Sequence, residues 1–314
     1  MIRFGYRAVD YYFNVILNEN SILYNFFYSL SDQEFHFFIY NIIMTIALWG
    51  AIVISCAVLM LFLKKLSTKA DRDVSNRISF RFKLPKNMLI LLFVGLGVIY
   101  FFVMIAMGFD FALSRFGIER RTIETMAFFP RTGAGVFLYF FAYVISPSIL
   151  EEFLCRYLML NALRKYGDGF AITVSSVFFG FLHGSSGHFF FATGIGFFLA
   201  YYTIKTHSIW FAIIFHAFIN SLAIFWSFVS YYGGEGLFLV LSYLSQTLIF
   251  GISVIYIVWL IKKRYDFSLK PCSNYIFLSR RQKIWGFFNV STIIFIMMAI
   301  EQSMGAYYIS GAYW

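Results

Sequence analysis

The sequence predicts an all-α protein: a polytopic transmembrane helical bundle of about eight spans. Three observations predict it. Of the 314 residues, 61% are hydrophobic and only 13% are charged, whereas soluble domains carry about a quarter. Apolar runs of span length recur along the whole chain. The net charge of +10 is gathered into a few loops, which reads as topology and lipid contact rather than nucleic-acid binding. Cys56, Cys155 and Cys272 are scattered, without metal-type spacing or a disulfide framework.

Residues 1–37 form an amphipathic, aromatic segment suited to the membrane interface, without the basic-then-apolar start of a cleavable signal. Residues 38–131 hold two N-terminal spans, 38–63 and 87–109. Between them, residues 64–86 carry eight Lys/Arg against Asp71 and Asp73, so this loop is cytoplasmic by the positive-inside rule. Residues 110–131 are mixed in charge and partly helical.

Residues 132–230 form the core that carries the chemistry. Run 132–163 is interrupted by Pro147 and is too short for two crossings. It reads as one crossing made of two helical pieces. Short spans at 169–184 and 189–204 follow, then 210–229. Residues 231–314 complete the chain: a glycine turn (Gly233, Gly234, Gly236), a span at 237–261, a second basic loop at 262–283 with seven Lys/Arg, and a last span at 284–300. Six crossings between the basic loops return the chain to one side, as their charges demand.

Polar residues inside spans carry the functional signal. The first group is Glu151, Glu152 and Arg156. A charge at bilayer depth costs roughly 3 kcal/mol on insertion scales, so three in six positions have a purpose. On a helix Glu152 and Arg156 stand at i,i+4 and pair, while Glu151 is rotated by about 100° and left without that partner. A buried ion cluster that fixes helix packing is the plain alternative. The second group is Phe179 and His183, and the third is His216 and Asn220, which share one helix face. Each of these also has a plain reading, as a packed core histidine or as interhelical glue. Together they form an inventory for hydrolysis. A carboxylate and an imidazole activate water, and a second imidazole and a carboxamide donate to an oxyanion. Two Glu and two His would also suit zinc, although the helical zincin spacing is absent.

The ordered motifs EExxxR (Glu151, Glu152, Arg156), FxxxH (Phe179, His183) and HxxxN (His216, Asn220) resemble the CPBP intramembrane protease family. It is also called Abi, or the CAAX-protease and bacteriocin-processing family. The resemblance covers about 135–228. It implies a helical fold whose polar groups line a cavity open toward the cytoplasm, in a bacterial cell membrane. It implies Glu151, helped by His183, as the water-activating base, and His216 with Asn220 as oxyanion donors. Glu152, Arg156 and Phe179 would support them. A divalent metal such as zinc, where present, would fall to Glu151, His183 and His216; a metal-free glutamate mechanism is the alternative. The implied substrate is a peptide or membrane protein cleaved near the cytoplasmic face, in peptide maturation or bacteriocin self-immunity, with tripeptide removal from a prenylated protein ranked below these. Tyr157 departs from the family pattern, which often has Gly after the motif arginine. The sequence leaves the oligomeric state open.

Three rival readings stand beside this one. A non-catalytic immunity or scaffold protein would bind a partner in the same cavity. Gly184-Ser185-Ser186-Gly187 fits a rhomboid-type motif, with Ser186 as nucleophile and His216 as base, but leaves the Glu pair and Arg156 without a role. An ion-coupled transporter would use the Glu pair as a relay, but inverted repeats are absent.

Overall fold

The computed structural model describes Gly50, residues 77–120, Pro130, 132–183, 186–269, 276–288 and 307–309, with single helical positions at Ile293, Ile296, Met297 and Ile300. Segment 1–37 and, Gly50 apart, the expected span 38–63 lie outside the described residues. The described residues are mostly helical: α1 (Met88–Ser114), α2 (Gly133–Tyr166), α3 (Asp168–Phe181), α4 (Ser186–Thr206), α5 (Trp210–Lys262) and α6 (Arg280–Phe287). Three of these, α1, α2 and α5, are long and apolar enough by length and composition to cross a membrane.

The chain divides into two compact units, Met1–Ser55 with Met126–Pro147 and Cys56–Thr125 with Ser148–Trp314. In the first, Thr132 caps the start of α2 by accepting a hydrogen bond from the Gly135 N–H at 3.0 Å, which satisfies one of the orphan donors of the first turn. Phe141–Ile145 then widens into a π-turn, in which the Ser146 N–H reaches back to Phe141 O. An α-turn would press the ring of Pro147 onto the carbonyl four residues earlier, and the wider turn relieves that clash. The expectation of two pieces broken at Pro147 is therefore corrected: α2 is one uninterrupted helical run. A second π-turn, Phe153–Met159, follows the Glu pair. Gly167, at φ 113°, ends the run in a conformation only glycine adopts without strain.

The second unit contains α2 from Ser148 on, with its second π-turn and Gly167, and the other helices. α1 outlasts its expected limit and ends at Ser114. α3 and α4 pack closely through small residues: a side chain at Gly180 would strike Thr193, and one at Gly196 would strike Ser176. Small residues at facing positions are how helices approach where apolar burial supplies no net drive.

α5 is one assignment but two helices. Gly234, at φ 81° and ψ 161°, is non-helical within it. Phe215 and Ser253 lie equally far from Gly234 on either side, and a straight helix would hold them about 57 Å apart. Yet both meet α1, at Gly95 and Gly97, so the chain reverses at Gly234. The expected glycine turn is there; Gly233 and Gly236 remain helical.

Segments from both basic loops gather at one end of this unit. Ser79 bonds His207 and Ile209 through its backbone, at 3.1 and 3.3 Å. Lys205 Nζ donates to Asp266 O and Ser268 O, both at 2.8 Å, and the Ile276 N–H donates to Lys165 O. At the other end, β1 (Ile118–Arg120) pairs antiparallel with β2 (Tyr307–Ile309), a short ladder that an all-α reading does not contain. Of the last expected span, 284–300, residues 284–288, Ile293, Ile296, Met297 and Ile300 are described, and α6 ends inside it at Phe287. The points on either side of it, Ile276 and Tyr307, stand at opposite ends of the unit.

The outer surface is apolar. Leu244, Leu248, Ile252, Ile255 and Trp259 are all about half exposed or more, and they recur at helical spacing along the second half of α5. Water does not tolerate such a stripe on a monomer; lipid does. With the apolar lengths of α1, α2 and α5, this makes the chain an integral membrane protein.

Candidate active site

Four side chains meet in the interior of the second unit. Glu152 lies on α2 with its carboxylate fully buried. Its Oε2 is 3.1 Å from Arg156 Nε, one turn on, as the i,i+4 spacing predicts. Neither atom makes a hydrogen bond, so the contact is Coulombic. Arg156 instead lays its guanidinium over the ring of Phe179, 4.2 Å from the centroid. This cation–π contact gains strength from exclusion of water. The other carboxylate oxygen, Oε1, accepts a hydrogen bond from His216 Nδ1 at 2.9 Å. His216 is also buried, and its imidazole meets the Phe179 ring edge-on at 5.7 Å.

A second, more open pair lies beside the first. Glu151 Oε2 and His183 Nε2 are 3.8 Å apart, and their side chains are 25% and 24% exposed, against 0% for Glu152 and Arg156. That distance is too long for a direct hydrogen bond and short enough for one water to bond both. His183 Nδ1 lies 2.8 Å from Phe179 O. A carbonyl only accepts, so Nδ1 carries the proton and a neutral ring turns its Nε2 lone pair toward Glu151.

Phe179 links the two groups. Its backbone oxygen fixes the His183 tautomer, and its ring contacts both imidazoles and the guanidinium. The ring is 1% exposed. The motif segment of α2 and α3 run antiparallel, which brings Glu151 to His183 and Arg156 to Phe179.

Asn220 stands one turn beyond His216 and is partly buried. It makes no hydrogen bond among the described residues. The side chain of Ser186 lies outside the described residues, and His216 Nδ1 is committed to Glu152. The expected metal set of Glu151, His183 and His216 does not assemble: among the described residues no three His, Cys, Asp or Glu come together to hold an ion. Glu151 and His183 supply two donors, one short of the three protein ligands usual for catalytic zinc. Along α2, Glu151 lies roughly 20 Å of helical rise from Arg164 at the basic end.

Sequence reasoning missed the hydrogen bond between Glu152 and His216, and it missed Asn161. The latter is a polar residue between Leu160 and Ala162 in a membrane segment, which is itself a signal. Its carboxamide clamps both backbone groups of Ile78.

Residues 133–222 match the family model described as type II CAAX prenyl endopeptidase Rce1-like, which is the CPBP/Abi family that the three motifs resemble. The matched segment contains every motif residue. No curated protein and no solved structure matches the chain.

Proposed function

We propose that the protein is an intramembrane endopeptidase of the CAAX type. It hydrolyses a peptide bond of a membrane-borne peptide or protein with a water held between Glu151 and His183. The observation that carries this reading is the pair of partly exposed side chains that set a carboxylate oxygen and an imidazole nitrogen 3.8 Å apart in an otherwise buried neighbourhood. Glu151 takes a proton as the water oxygen bonds to the carbonyl carbon, with His183 orienting that water. The C–N bond breaks as the proton passes to the departing amine. His216 and the Asn220 carboxamide donate to the oxyanion. Because His216 Nδ1 donates to Glu152, only its Nε2 remains for the substrate. Nε2 donates only when the ring is an imidazolium.

The matched family name directs the choice of substrate. A peptide with a prenylated cysteine three residues from its end is the first probe, ahead of the maturation and immunity roles. The eight-span topology, with both basic loops cytoplasmic in a bacterial membrane, belongs to the same proposal.

The test is Glu151→Gln in purified, reconstituted protein with a quenched peptide of that kind. Cleavage should disappear while the thermal transition stays in place. Undiminished cleavage by this variant rejects the hydrolase. Binding of the probe without cleavage by the wild type would support the immunity or scaffold reading instead. With two donors at the pair, a chelator should leave the wild-type rate unchanged.

A further inference from the structure

Residues 77–82 form an extended strap that ties together the two helices on which Glu152 and His216 stand. At one side, the Ile78 N–H donates to Asn161 Oδ1 at 2.9 Å, and Asn161 Nδ2 donates to Ile78 O at 3.1 Å. One carboxamide satisfies both backbone groups of a residue that is 2% exposed. At the other side, Trp210 Nε1 donates to Phe80 O and Ser208 Oγ donates to Arg81 O, both at 2.8 Å. The Phe80 ring lies 4.5 Å from Tyr157 and 6.0 Å from Phe153. Tyr157, the departure from the family pattern, thus has a partner in the strap.

The placement matters because of what stands above each anchor. Asn161 follows Glu152 on α2, and Trp210 opens α5 just before His216. The motif segment of α2 packs chiefly on α3, whereas α5 packs on α1 and α4. The Glu152–His216 hydrogen bond therefore spans helices held mainly by different neighbours. An N–H···O bond holds only within about 2.7–3.2 Å and weakens steeply when it is bent, so a shift or tilt of one helix against the other would loosen it. The strap joins the same two helices nearer the basic end, by bonds at both of its sides.

We propose that Asn161 is a positioning residue for His216. By clamping the strap, it sets the spacing of α2 and α5 and so keeps Glu152 Oε1 within reach of His216 Nδ1. This rests on the reading of His216 as an oxyanion donor.

Asn161→Asp keeps the acceptor for the Ile78 N–H and loses the donor to its carbonyl. With the prenylated peptide, kcat should fall about tenfold and KM should stay within about twofold, the pattern of a misplaced transition-state group. In protein labelled with 15N-histidine, the Nδ1 proton resonance of His216, identified by its loss in His216→Gln, should shift. Trp210→Phe removes one of the bonds at the opposite side and should produce both effects more weakly; it also carries the test if Asn161→Asp does not fold. Asp168→Asn breaks the 2.8 Å pair with Arg164 at the same end of α2. It should lower the melting temperature without either effect. If Asn161→Asp and Trp210→Phe lower only the melting temperature, as Asp168→Asn does, the proposal is overturned. If the wild type itself cleaves nothing, the hydrolase reading falls, and the histidine resonance still decides whether Asn161 positions His216.

Discussion

Glu151 and Glu152 are neighbours in sequence and opposites in circumstance. Glu152 is sealed in, with Arg156 on one oxygen and His216 on the other. Glu151 is a quarter exposed and faces an imidazole lone pair across a gap of one water. The rotation of about 100° between successive helical residues is enough to separate them. The buried carboxylate is engaged at both oxygens, so it holds other groups in place. The open one stands 3.8 Å from His183, a spacing that one water bridges. A helix therefore obtains an orienting acid and a reacting acid from one dipeptide.

The sharpest way to break this comparison is to neutralise each acid in turn. Glu151→Gln should reduce kcat by about 10²- to 10⁴-fold, the usual range for a lost general base, with little change in stability. Glu152→Gln should do the reverse in stability. It strands the Arg156 guanidinium without a counter-ion, and breaking a buried pair costs about 3–5 kcal/mol. Thermal unfolding and peptide cleavage on the same preparations check both. Equal stability losses for the two variants would mean that the exposure difference carries no functional division.

A double replacement sharpens the point. Glu152→Leu with Arg156→Met fills the buried site with apolar groups. Replacing a buried pair by apolar residues is often neutral for stability, so the double variant should unfold at a higher temperature than Glu152→Gln. Its cleavage should nevertheless stay well below wild type, because His216 has lost the acceptor that orients it. Phe179→Leu comes next in size. It removes the cation–π contact, worth roughly 2 kcal/mol when desolvated, and the edge contacts to both rings. Stability and kcat should fall together, since this side chain serves both regions.

Much of this was legible in the sequence, and for a physical reason. Charged residues in apolar runs are too costly to be incidental, so Glu151, Glu152, Arg156, His183 and His216 stood out. The i,i+4 rule then separated the two acids correctly. The glycine reversal was legible because Gly234 can adopt a backbone that other residues resist. What stayed hidden depends on tertiary distance. No spacing rule links Glu152 to His216, and none places the strap against Asn161. Pro147 misled because the clash it causes is normally a break, and the π-turn that absorbs it leaves no pattern in side-chain type. The β1–β2 ladder joins segments too short and too far apart in the chain for a periodicity to register.

The smallest expected effect tests how the buried region acts on the open one. If His216 donates from Nε2 to the oxyanion while Glu152 holds its Nδ1, a carboxamide at position 216 keeps a donor but loses the bond that orients it. His216→Gln should therefore cleave the peptide more slowly than the wild type, yet faster than His216→Ala, which offers no donor at all. Steady-state kcat of the two variants on the same peptide checks this. Equal rates for His216→Gln and His216→Ala would remove this side chain from the oxyanion and leave Glu152 with a purely structural part.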